Sequence, residues 1–93
     1  MAADLNEKIE RYERLLSEAL GKAELAPIKR SHMYTVAIDY HRMARSYYKD
    51  GVHFMENEDP VNALVCFSYG HAWLDAGARL GVFNVDDDVL FTI

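Results

Sequence analysis

The sequence predicts an all-α fold: a three-helix bundle built around an antiparallel hairpin of its second and third helices, with a short extended tail at the C-terminus. Three observations carry that expectation. Apolar residues recur at helical spacing over about residues 4–21, 30–57 and 60–80. Punctuation falls between these stretches, at Gly21, at Asp59 followed by Pro60, and at Gly81. The aromatic residues Tyr40, Tyr47 and Phe54 stand seven apart, as do the small residues Ala63, Gly70 and Gly77 that would face them. With 93 residues, all of this belongs to one domain spanning 1–93.

In the first stretch Leu5, Ile9, Tyr12, Leu16 and Ala19 share one helical face. Asp4 is placed to cap it, Glu7 to complete a capping box, and Gly21 to stop it. Glu7 with Arg11, Glu10 with Arg14 and Glu18 with Lys22 are acid-first pairs four apart, which marks the other face as solvated. After a connection over 22–30 that contains Pro27, the second helix runs through Met33, Val36, Ala37, Tyr40, Met43, Ala44, Tyr47, Gly51 and Phe54. At about 1.5 Å per residue it is roughly 40 Å long. Asp59 and Pro60 suit the N-cap and first position of the third helix. That helix is apolar nearly all round, through Val61, Leu64, Phe67, His71, Leu74 and Ala78 on one stripe and Val65, Tyr69, Ala72 and Ala76 on the far side. Such a helix is expected to be central and buried.

The short turn at 57–59 makes the second and third helices antiparallel neighbours. Positions equidistant from it then pair Phe54 with Ala63, Tyr47 with Gly70 and Tyr40 with Gly77, with Gly51 close to Cys66 and Phe67. Glycine costs about 1 kcal/mol relative to alanine inside a helix, so close backbone approach explains Gly51 and Gly70. The interlocking resembles a tetratricopeptide-type hairpin, but a single one, completed here by the first helix. The tail, 82–93, is read as folding back over the helices, its acidic turn Asp86 to Asp88 leading into the apolar Val89, Leu90, Phe91 and Ile93. The alternative is a strand that pairs with another copy.

Composition bounds the function more by exclusion. The formal net charge is -5 and the pI about 5.2, which argues against nucleic-acid binding because counterion release requires a basic surface. Arg42, Arg45 and Lys49 form a basic stripe, but Asp39 and Asp50 offset it. No apolar run is long enough to span a membrane. The N-terminus is charged and periodic where a signal peptide is apolar. The lone Cys66 cannot form a disulfide within the chain, so a reducing cytoplasm is expected. His32, His41, His53 and His71 show no metal-ligand spacing, even with Glu56 beside His53, and no cofactor is expected.

His71, Asp75 and Arg79 align a base, an acid and a cation at four-residue steps on the third helix. They are the one candidate ligand-binding or catalytic strip, for a small ligand such as a phosphorylated metabolite, although no nucleophile or second carboxylate accompanies them. Tyr40, Tyr48, Trp73 and Phe91 are the candidates for contact with a partner, since aromatic residues anchor interfaces.

The run from Tyr47 to Phe83 resembles an archaeal family known as domain of unknown function 357. The likeness is carried by Tyr47, Asp50, Phe54, Asn62 to Leu64, Tyr69, Gly70, Trp73 to Gly77 and Arg79 to Gly81. The resemblance implies a compact helical bundle from an archaeal cytoplasm, and no reaction. The residues then favour a noncatalytic protein-interaction or self-association module, a homodimer included. The alternative is a small-ligand binder or enzyme using the His71, Asp75 and Arg79 strip.

Overall fold

A computed structural model describes residues 2–91 of the chain; Ile93 of the tail lies outside the described residues. The fold is all-α. In chain order it comprises α1 (Leu5–Lys22), β1 (Glu24–Leu25), α2 (His32–Glu56), α3 (Pro60–Leu80) and β2 (Phe83–Asn84), the two short strands being a minor addition.

The Asp4 carboxylate caps α1 by accepting from the backbone N–H groups of Asn6 and Glu7 at 3.0 and 3.3 Å. Ile9, Leu16 and Ala19 bury the inner face. Gly21 does not end the helix. The chain leaves α1 at Ala23, whose φ of -77° and ψ of 87° lead directly into β1, and an extended exit needs no left-handed residue. Glu7 pairs with Arg11 at 3.5 Å as its spacing predicts, whereas Arg14 pairs forward with Glu18 and Lys22 reaches across to Asp87 of the tail at 3.1 Å.

Ser31 caps α2, its hydroxyl accepting from the N–H of Tyr34 at 3.1 Å and donating to the carbonyl of Ile28 at 2.6 Å. Glu58 closes α2 in a left-handed conformation, with φ of 57°. The N–H of Glu58 bonds to the carbonyl of Met55 and that of Asp59 to the carbonyl of Phe54, which is a Schellman closure without its usual glycine. Asp59 then turns to cap α3 through the N–H of Asn62. Gly81, with φ of 86°, closes α3 in the same way, through Ala78 and Gly77.

Small residues line the hairpin seam on both sides, with Ala37, Ala44 and Gly51 buried on α2 and Ala63, Gly70 and Gly77 on α3. A Cβ on Gly70 would lie 3.0 Å from the Cβ of Tyr47 and 3.2 Å from the carbonyl oxygen of Ala44, so the expected contact of Tyr47 with Gly70 is present. A Cβ on Gly51 would meet the ring of Phe67, with carbons at 2.7 and 2.9 Å. Gly77 departs from expectation. Its space is filled by the ring of Phe83, and Tyr40 instead packs edge-on against Trp73 with centroids 5.1 Å apart. Register along two helices cannot reveal a ring that arrives from a third segment.

The tail does fold back. β2 pairs antiparallel with β1, Glu24 opposite Asn84 and Leu25 opposite Phe83, so the segment after α3 pairs with the connection between α1 and α2 of its own chain. Val82, Phe83, Leu90 and Phe91 are buried, while Val89 is exposed. The core forms where α3 packs against both α2 and α1, which touch each other much less. The molecule measures 43 × 26 × 16 Å, and its radius of gyration of 13.8 Å exceeds the about 12 Å of a compact chain this long. With two helical neighbours and a tail, α3 is central but not enclosed. Contrary to expectation, Val61, Val65, Tyr69 and Leu80 are more than half exposed.

Candidate functional site

Of the strip His71, Asp75 and Arg79, the structure brings the first two side by side. The Nε2 of His71 lies 2.5 Å from the carbonyl oxygen of Leu90 and 3.6 Å from Oδ1 of Asp75. Because a carbonyl only accepts, Nε2 carries a proton and donates it, while Nδ1 is buried without a hydrogen-bond partner among the described residues. The ring therefore acts as a latch for the tail, with Phe91 beside it at a centroid distance of 6.4 Å. Asp75 is half-buried next to it, and Arg79, one turn further, is exposed.

The aromatic candidates separate into two groups. Tyr40 and Trp73 are half-buried and meet edge-to-face at the border of α2 and α3. Tyr48 packs over Phe67 and helps line a hollow with Glu10, Glu13 and Arg14 of α1. Phe91, expected to meet a partner, is 2% exposed and packs with the core. The tail's hydrogen bonds draw it inward.

The feature with open access is the outer face of α3. Val61, Val65, Tyr69, Ala72, Ala76 and Leu80 form a continuous exposed stripe without an ionisable group other than the tyrosine phenol. Near its middle, Tyr69, Ala72, Trp73 and Ala76 line a shallow groove of about 260 Å3. Its wall is rigid on the α2 side, because Tyr47 meets Tyr69 edge-on at 4.9 Å just as Tyr40 meets Trp73. The sequence shows this stripe too, since no charge interrupts it over 61, 65, 69, 72, 76 and 80. What sequence reasoning missed is that none of the described residues covers it.

The remaining reactive groups are quiet. Burial, and then the negative charge of Asp50, push the Cys66 thiol above its ordinary value of 9.0, which suppresses the thiolate. Asp87 is held below its ordinary value of 3.8, first by the N–H of Leu90, then by the ammonium of Lys22 and the N–H of Val89. Among the described residues no group of three or more His, Cys, Asp or Glu side chains is arranged to hold a metal ion. Nor, among the described residues, is any helix long and apolar enough to cross a membrane. In the basic stripe Arg42 is paired with Asp39 at 2.8 Å.

Comparison with known proteins gives a family match over residues 11–83, to the family described as protein of unknown function (DUF357). No curated protein and no solved structure matches the chain.

Proposed function

The chain belongs to the DUF357 family, and since that membership assigns no chemistry, we propose from its surface that it is a noncatalytic protein-interaction module that works through the outer face of α3. The observation that carries this reading is the exposure of Val61, Val65, Tyr69 and Leu80, at 60, 58, 55 and 51%. Soluble proteins rarely leave so continuous an apolar patch in water unless something docks there. Aromatic residues at its margin, Tyr69 and Trp73, are the types enriched where partners meet. The ligand-binding alternative lacks comparable support, because Nε2 of His71 is already engaged by the Leu90 carbonyl. A cytoplasmic, archaeal setting, expected from cysteine usage and from the family resemblance, belongs to the same proposal.

Paired baits test it. The wild-type chain and a Val65→Asp variant are presented to native extract, and the mass of each in solution is measured by light scattering. A partner, whether another protein or a second copy, is expected on the wild type and not on the variant. If the wild type is a monomer and retains nothing that Val65→Asp loses, the reading is wrong.

A further inference from the structure

We infer that the occupant of this face is the same face of a second copy, laid antiparallel across a two-fold axis that passes α3 between residues 70 and 71. The inference rests on the reading of α3 as an interaction surface and goes further by naming the partner.

A two-fold interface requires a patch that complements itself when reversed. The exposed positions 61, 65, 69, 72, 76 and 80 are separated by four, four, three, four and four residues, the same from either end. Reversal lays Val61 on Leu80, Val65 on Ala76 and Tyr69 on Ala72. In the two inner pairs a large side chain meets an alanine, and in the outer pair two branched chains close the ends. This is the size matching that lets one helix sink into the groove of another. The neighbouring rim position Asn62 falls on Arg79 of the second copy, so reversal opposes no two like charges.

The stripe also runs straight. Residues 61 and 72, 65 and 76, and 69 and 80 are each eleven apart, three turns at 3.67 residues per turn, so the line of contact follows the helix axis closely. Two copies can therefore touch along about 30 Å of helix. Charge favours the same occupant. The chain carries a formal net charge of -5, which repels a second copy over most of its surface, and the stripe is where that repulsion is absent. A basic or acidic partner would need a complementary charge on this face, and none is there. A stripe one helix wide is small for an interface, although Tyr40 and Tyr47 widen it from α2, so the dimer is expected to depend on concentration.

The test uses mass and register together. Sedimentation of the full chain over a wide concentration range should show a dimer, and Ala76→Asp should weaken it by roughly tenfold or more by burying an unpaired charge. Val65→Lys should do the same alone, and an equimolar mixture of the two variants should restore dimer. In a Cys66→Ala background confirmed as helical, Val65→Cys mixed with Ala76→Cys should cross-link under oxidation, whereas neither should alone, because like positions then lie about 16 Å apart along the axis. The charge variants keep native Cys66, so they stand if that background does not fold. A dimer indifferent to Ala76→Asp, or Val65→Cys cross-linking to itself, overturns the inference. So does a monomer at every concentration. A monomer that nevertheless loses a different captured protein on Val65→Asp overturns only this inference and leaves the interaction reading in place; a monomer with no such protein removes both.

Discussion

Replacing Gly77 by alanine would place a methyl group against the ring of Phe83, with its Cδ2 at 2.7 Å and Cζ at 3.2 Å. The ring cannot retreat at low cost. Phe83 is 4% exposed, and its strand is pinned by the pairing of Leu25 with Phe83. Overpacking of this kind costs about 1–3 kcal/mol, while alanine recovers about 1 kcal/mol of helix propensity. A net loss of about 0–2 kcal/mol follows, or up to ~3 kcal/mol if the ring is expelled and its burial forfeited. Gly21 supplies the control, because it too is helical but nothing lies within 4 Å of where its Cβ would be. Gly21→Ala should therefore stabilise, by up to about 1 kcal/mol. Urea unfolding followed by circular dichroism measures both, and Phe83→Leu added to the Gly77→Ala chain should recover part of the loss, giving a coupling energy. If Gly77→Ala stabilises the chain as much as Gly21→Ala does, or if its effect is independent of Phe83, the tail does not seat its ring on α3.

Three further outcomes are expected. Asp87 is held below its ordinary value of 3.8 by the amides of Leu90 and Val89 and by Lys22, so its contribution is complete above that value and is lost as pH falls through the lower folded-state value. Hydrogen exchange at Leu90 and Phe91 should accelerate in that acid window, and Asp87→Asn should show part of the loss already at neutral pH. His71→Ala leaves the Leu90 carbonyl without its donor, which should cost about 1–3 kcal/mol and make the segment after Gly81 the first site of limited proteolysis. Glu58→Gly removes a side chain from a left-handed turn and should stabilise by about 1 kcal/mol in thermal unfolding; a loss would mean that the Schellman closure is wrongly placed.

The hairpin was legible because its signals are local. Asp59 and Pro60 restart the chain within a few residues of where α2 stops, and the meeting of Tyr47 with Gly70 follows from counting outward from that turn. The destination of the tail was not legible in the same detail. β1 and β2 are two residues each, too short for a periodic signature, and their pairing joins Leu25 to Phe83 across most of the chain. Who fills the space over Gly77 depends on that pairing. The outer face of α3 was misread for a different reason. A helix apolar all round can be covered by its own chain or by another molecule, and hydropathy is the same in both cases. The number of helices available to cover it decides, and here there are two.

The tail itself carries enough apolar surface, in Phe83, Leu90 and Phe91, to have covered the stripe, so the open face is not a shortage of hydrophobic residues. It is committed elsewhere. Phe83 enters the space above Gly77, Leu90 is held by His71, and Asp87 is tied to Lys22 of α1. At 100° per residue, Gly77 and His71 lie roughly 110 to 130° to either side of the middle of the Val61 to Leu80 stripe, outside its arc. The fold thus spends this apolar segment on the inner face and leaves the outer one in water. A charge placed there should accordingly leave folding almost untouched. Val65→Asp is expected to change the unfolding free energy by less than about 1 kcal/mol, the range of an exposed helical substitution, whereas Leu16→Ala, at a position with 0% exposure, should cost about 2–5 kcal/mol. Urea unfolding of the two variants at a concentration where the chain is monomeric separates them. If Val65→Asp is as damaging as Leu16→Ala under those conditions, then Val65 is packed within its own chain, and the stripe is part of the core and not a place for a partner.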